Sequence, residues 1–307
     1  MKHLLSINDM TLDEIYRVFE WSKKLKGYVK EGIEHPLLKG KTLGMIFSKS
    51  STRTRVSFET GMYQLGGHPL FLSSDDIQIG RGESIHDTAK VLSRYIDGIM
   101  IRTFKQSDVE ELAKFGSIPV INGLTDELHP CQILTDLFTI MEHKGDLSKL
   151  KLAYVGDGNN IANSLLYGCS KTGMALSLAT PRGYECNQRV VAQAMENAKI
   201  SGGSIEIVND PVKAVEQADI VYTDTWVSMG QEEEKATRIE IFKGYQVNKA
   251  LWSHAREDAI FLHCLPAYRG LEVAEDIIDG SMSRVFDQAE HRLHVQKAVM
   301  VMLMKDR

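Results

Sequence analysis

Apolar positions along this chain follow two periods that alternate. Thr11-Leu12-Asp13-Glu14 has the form of a capping box, and the residues behind it repeat at helical spacing over about 12–26. Lys41 to Phe47 is a short apolar run of strand type, and Ser48 to Thr54 is a polar turn leading into a helix that runs to about Leu65. The alternation continues with strands near 69–72, 97–101 and 117–121, and helices near Ser84–Tyr95, 107–115 and 131–143. A second block starts at Lys151, with a strand at Leu152–Val155, the turn Gly156-Asp157-Gly158-Asn159-Asn160 and a helix. Strands follow near 174–179, 204–208, 219–223 and 259–262, and a helix closes the pattern over 287–306.

Strands alternating with helices predict an α/β protein of two domains, each a parallel sheet flanked by helices. Ligands in such folds sit beyond the carboxyl ends of the strands, which places the expected active site in the cleft between the domains. The polar stretch Lys144–Lys149 is the quietest part of the chain. The predicted division is one domain of 1–134 plus 287–307 and a second of 135–286.

At 307 residues the chain is long enough for two cores. No apolar run has the length of a membrane span, and the start Met1-Lys2-His3-Leu4-Leu5 lacks the apolar core of a signal peptide, so a cytoplasmic, membrane-free protein is expected. The net charge of −5, with no lysine or arginine run, argues against nucleic acid as a partner. Cys131, Cys169, Cys186 and Cys264 form no CxxC pair and are expected as free thiols.

Five segments carry chemistry. Ser51-Thr52-Arg53-Thr54-Arg55 opens a helix after a strand, where free N–H groups, hydroxyls and guanidiniums suit a phosphate. A capped helix with solvated arginines explains the composition equally well. His129-Pro130-Cys131-Gln132 offers a ring N–H for a carbonyl and an amide for an NH₂, although a lone loop histidine is more often structural. His263-Cys264-Leu265-Pro266 suggests a thiol nucleophile, but neighbours on an extended chain point to opposite faces, which argues against a dyad. The same spacing fits no zinc site, and no metal or cofactor is expected. Asp224-Thr-Trp-Val-Ser228-Met229-Gly230 offers a carboxylate and a hydroxyl to an ammonium, or else an Asx-capped turn. Gly156-Asp-Gly-Asn-Asn160 begins like a dinucleotide fingerprint, yet Ile161 replaces the third glycine and the next strand ends without a ribose-binding acid.

In order and spacing, STRTR at 51–55, HPCQ at 129–132 and HCLP at 263–266 together resemble the anchors of the transcarbamylase family over nearly the whole chain. DTWVSMG at 224–230 resembles the ornithine-binding loop of its ornithine-specific branch. The resemblance implies transfer of the carbamoyl group of carbamoyl phosphate to the δ-amine of L-ornithine, giving L-citrulline and phosphate, in arginine metabolism and amino-acid biosynthesis. It implies a carbamoyl-phosphate-binding first domain and an ornithine-binding second domain.

Carried over by residue, it implies that Ser51, Thr52, Arg53 and Thr54 hold the phosphate. Arg102 would reach phosphate and carbonyl oxygen, His129 would donate to that carbonyl, and Gln132 and the Leu265 carbonyl would take the carbamoyl NH₂. Arg292 would come from the closing helix, and Leu265–Pro266 would be a cis bond. Asn160 and the Met229 backbone would clamp the α-carboxylate of ornithine, Asp224 and Ser228 its α-amine, and Cys264 would lie near the reacting amine and the carbamoyl phosphate. Arg102, His129 and Cys264 are thus the expected catalytic residues. The segment around Gln78 resembles a loop inserted into a neighbour's active site, which implies a homotrimer with shared sites. Ser48 and Ser50 stand where family members vary.

The implied chemistry is direct attack by the neutral amine through a tetrahedral intermediate. Rival readings are a transcarbamylase for aspartate, putrescine or an acylated ornithine, a nucleotide-binding oxidoreductase built on GDGNN, and an idle binding protein of the same fold.

Overall fold

A computed structural model describes residues 1–227 and 232–306. These divide into two compact units, residues 1–135 with 290–307 and residues 136–289. The division falls inside two helices.

The first unit opens with α1 (Leu12–Lys30), capped by the reciprocal Thr11–Glu14 box. The helix runs past the predicted end because Gly27 is tolerated within it, and the turn comes at Gly32, with φ +69°. Then follow β1 (Thr42–Phe47), α2 (Thr52–Gln64), β2 (His68–Ser73), α3 (Ile85–Leu92), β3 (Gly98–Arg102), α4 (Gln106–Phe115) and β4 (Val120–Leu124). All pairings are parallel, in the order β2-β1-β3-β4. The fourth strand starts later than the apolar run suggested, because Pro119 brings no N–H to the ladder. β1 and β3 are buried almost throughout, as a strand covered on both faces must be, whereas β2 forms an exposed edge.

The chain enters the second unit within α5 (Pro130–Lys144). There follow β5 (Lys151–Val155), α6 (Asn160–Thr172), β6 (Ala175–Ala179), α7 (Gln188–Ser201), β7 (Ser204–Val208), α8 (Pro211–Val215) and β8 (Ile220–Thr223). Then come α9 (Lys235–Phe242), α10 (Lys249–Trp252), β9 (Ile260–His263), α11 (Glu275–Ile278) and α12 (Val285–Met304), which returns to the first unit. This sheet is also parallel, in the order β7-β6-β5-β8-β9. α8, α10 and α11 are too short to show a period, so the sequence pattern did not reveal them. Among the described residues, no helix is long and apolar enough to cross a membrane.

Each sheet reverses its direction of winding once, between β1 and β3 in the first unit and between β5 and β8 in the second. STRTR follows β1 and Arg102 ends β3, and GDGNN and Asp224 follow β5 and β8.

Candidate active site

Unit 1 gathers basic and amide side chains around the start of α2. Ser51 is its N-cap and accepts from the Thr54 N–H at 3.2 Å. Thr54 is buried, and its hydroxyl accepts from Arg292 Nη2 at 3.1 Å. Arg292 Nη1 donates to Gln132 Oε1 at 2.5 Å, which joins the closing helix to the HPCQ segment. Arg102 and His129 are buried beside them. Burial, then the Arg292 and Arg102 charges, holds the His129 ring well below its usual pKa, so it is neutral at pH 7. A neutral imidazole carries one N–H to donate and adds no positive charge to an arginine-rich site.

A cavity of about 400 Å³ lies along the β1–α2 turn, with Lys49, Ser51 and Thr52 in its wall. Arg55 also lines this cavity. Its guanidinium stacks 3.8 Å from the Phe71 ring centre and its Nε donates to Glu59 at 2.9 Å. Lys49 pairs with Asp126 and lies over Phe104. Thr52 is exposed and Arg53 half-buried at the helix start, and Gln78 is exposed on a single 3-10 turn, Gln78–Arg81.

Unit 2 gathers a smaller cluster of opposite sign. Asp224, at the end of β8 and 5% exposed, accepts from Cys264 Sγ at 3.0 Å, Asn159 Nδ2 at 2.8 Å and the Thr225 N–H at 2.8 Å. Asn159 also caps α6. The GDGNN turn showed two asparagines, and only the structure distinguishes Asn159, which reaches Asp224, from Asn160, the first residue of the helix. Ser228 and Met229 lie outside the described residues.

The HCLP segment behaves as strand alternation predicts. Cys264 faces Asp224, whereas His263 turns into the core, where Nδ1 accepts from the Leu265 N–H at 2.9 Å and Nε2 lies 3.2 Å from Glu272. Leu265 has a left-handed φ of 57°, and Leu265–Pro266 is cis. Asp224, His263 and Cys264 place ligand-type atoms within 4.8 Å of one another. Both His263 nitrogens are already engaged, which leaves that ring no lone pair for an ion in this arrangement. Burial pushes the Cys131, Cys169 and Cys186 thiols up to about 12, and Cys264 is the half-exposed one.

The glycines of GDGNN serve the chain itself. A Cβ at Gly158 would collide with the Glu185–Cys186 backbone, and the Gly158 N–H donates to the Tyr184 carbonyl at 2.9 Å. Asp157 pairs with buried Arg238, whose Nε donates to the Trp226 carbonyl at 2.6 Å. Sequence patterns gave no sign of this pair, because its members lie 81 residues apart.

Residues 2–142 match the family model for the aspartate/ornithine carbamoyltransferase carbamoyl-P binding domain, and 148–303 match that for the Asp/Orn binding domain. An ornithine carbamoyltransferase of Caldicellulosiruptor saccharolyticus is 60% identical over 98% of both chains. The solved ornithine carbamoyltransferase of Pyrococcus furiosus is 54% identical, with a TM-score of 0.96 over 99% of this chain and 97% of that one. A solved anabolic ornithine carbamoyltransferase of Campylobacter jejuni is 41% identical, with a TM-score of 0.93 over the full length of both.

Proposed function

The chain belongs to the aspartate/ornithine carbamoyltransferase family, and from that membership we propose that it carries the carbamoyl group of carbamoyl phosphate to the δ-amine of L-ornithine. L-Citrulline and phosphate are the products. The observation that carries the choice of acceptor is buried Asp224 at the end of β8, held by Asn159 and Cys264. A carboxylate there suits an amino group, whereas aspartate would need a cationic pocket for its second carboxylate.

Ser51, Thr52, Arg53 and Thr54 take the phosphate, where the α2 N-terminus adds N–H donors. Arg102, His129 and Thr54 face the carbonyl oxygen, and Gln132 and the Leu265 carbonyl take the NH₂. Arg292 bridges Thr54 and Gln132, so one guanidinium positions a phosphate ligand and a carbamoyl ligand together. Asn160, Asp224, Ser228 and Met229 take the amino-acid end of ornithine, with Cys264 beside the reacting amine.

An alkyl amine has a pKa of ~10.4 and attacks only when neutral. A desolvated site rich in arginine disfavours the ammonium form. The new C–N bond forms as charge collects on the carbonyl oxygen, and each positioned donor there is worth ~3–4 kcal/mol. The C–O bond to phosphate then breaks, and the amine proton leaves on the phosphate. Because a mixed anhydride is exchanged for a urea-type amide, the reaction runs toward citrulline, which suits amino-acid biosynthesis in the arginine branch of metabolism. A homotrimer in which Gln78 serves a neighbour's site, and a cytoplasmic location, complete the proposal.

The deciding experiment measures carbamoylation with ornithine, aspartate and putrescine in parallel. Turnover with ornithine alone supports the reading, and turnover only with another amine overturns the role of Asp224. Arg53→Ala tests the other half: a severe loss of carbamoyl phosphate binding is expected, and near-normal turnover would remove STRTR from the site.

A further inference from the structure

Asp136, Tyr222 and Gln288 form a buried polar cluster in unit 2, at 0%, 0% and 1% exposure, which no step above uses. Asp136 Oδ2 accepts from the Tyr222 hydroxyl at 3.0 Å, and Oδ1 accepts from Gln288 Nε2 at 2.6 Å. Gln288 Oε1 in turn accepts from the backbone N–H of His263 at 3.0 Å. Burying three such groups is costly unless their donors and acceptors meet, so their geometry is closely specified.

Their location gives the cluster a consequence. The β8–β9 ladder ends at the pair Thr223↔His263. Beyond it lie Asp224 on one strand and Cys264 on the other, 3.0 Å apart between Sγ and Oδ1. Tyr222 sits two residues before Asp224, and the bonded His263 N–H one residue before Cys264. A single carboxyl group from α5 therefore ties both strand ends at the point where backbone pairing stops.

We propose that Asp136 is a positioning residue for the transfer reaction: through Tyr222 and Gln288 it sets the spacing of Asp224 and Cys264, and with it the fit of ornithine. The inference rests on the assignment of ornithine to Asp224.

Asp136→Asn keeps the volume but turns an NH₂ toward one of the two donors. Tyr222→Phe removes the hydroxyl that donates to Asp136 and accepts from Gln288 Nε2 at 3.2 Å, and keeps the ring. With Asp136→Asn the ornithine KM rises about tenfold, roughly the effect of one lost net hydrogen bond at the site, while the dissociation constant for carbamoyl phosphate is unchanged. Tyr222→Phe shifts the ornithine KM in the same direction by less. Alkylation by iodoacetamide gives an independent reading, because the other three cysteines are buried with raised pKa values and Cys264 is half-exposed. Its rate at Cys264, followed by peptide mass, changes severalfold in both variants. Lower thermal stability with wild-type ornithine KM and wild-type Cys264 alkylation would reduce the cluster to packing and overturn the proposal. If Asp136→Asn fails to fold, Tyr222→Phe decides by the same two readings. A wild-type protein that forms no citrulline would sink the activity assignment, and the alkylation comparison would still judge the Asp136 linkage.

Discussion

Replacing Arg238 with methionine removes the guanidinium that meets Asp157, and the result depends on pH in a way the structure fixes. Asp157 is 7% exposed, and burial raises its carboxyl from 3.8 to about 6, with Arg238 opposing the rise and Asp224 adding to it. A carboxyl raised on folding costs stability above its folded pKa, and the cost is relieved as pH falls through 6 toward 3.8. At pH 8 that cost in the wild-type protein is ~3 kcal/mol. Without Arg238 the cost grows, but protonation caps it at ~6 kcal/mol at pH 8, so the lost pair adds at most ~3 kcal/mol. At pH 6 the wild-type carboxyl is already half protonated, and the same bookkeeping leaves under ~0.5 kcal/mol to lose. The Trp226 carbonyl also loses its donor, which costs about 1–3 kcal/mol at either pH. Urea unfolding of Arg238→Met and wild type at pH 6 and pH 8, followed by circular dichroism, therefore gives a destabilisation larger at pH 8 by up to ~2–3 kcal/mol. Equal destabilisation at both pH values would refute the argument that this pair acts through the Asp157 charge.

Lys297 is buried against His35 Nε2 at 3.0 Å and Gln64 Oε1 at 2.8 Å, and burial lowers its pKa to about 8. Its charge therefore costs stability below pH 8, and the cost fades as pH rises toward 10.5, so Lys297→Met raises the melting temperature more at pH 7 than at pH 10. Differential calorimetry at the two values checks this. Arg292→Met removes a contact to both Thr54 and Gln132 and weakens carbamoyl phosphate binding roughly 10- to 100-fold, as expected for a charged hydrogen-bonding group. The same variant raises the His129 pKa, because Arg292 is among the groups that hold it down, and histidine NMR titration reads the shift directly.

The parallel sheets were legible because β1, β3, β5 and β8 are short apolar runs closed by turn residues, a pattern that needs no tertiary information. Local structure at the candidate residues was legible where they stand together in sequence: Ser51 to Thr54 open a helix, and His263 and Cys264 divide their partners by strand alternation. What escaped depends on distance along the chain. Nothing near Asp157 announces Arg238, and nothing near Asp136 announces Tyr222 or Gln288, because a buried polar contact leaves no periodic trace. The STRTR run likewise gave no sign that Arg55 would engage Phe71 and Glu59.

The passage of the chain through α5 and back through α12 also sets an order of synthesis. The second unit is encoded without interruption and has all its strands once residue 289 has left the ribosome. The first unit has its four strands far earlier but lacks residues 290–304, whose buried Val295, Ala298, Val299, Met300, Leu303 and Met304 belong to its core. Met300 reaches the space beside Gly61 on α2, and Met304 the space beside Gly98 at the start of β3. The part of the protein made first is therefore the part completed last, and its apolar surface waits, exposed, for the whole of the second unit to be translated.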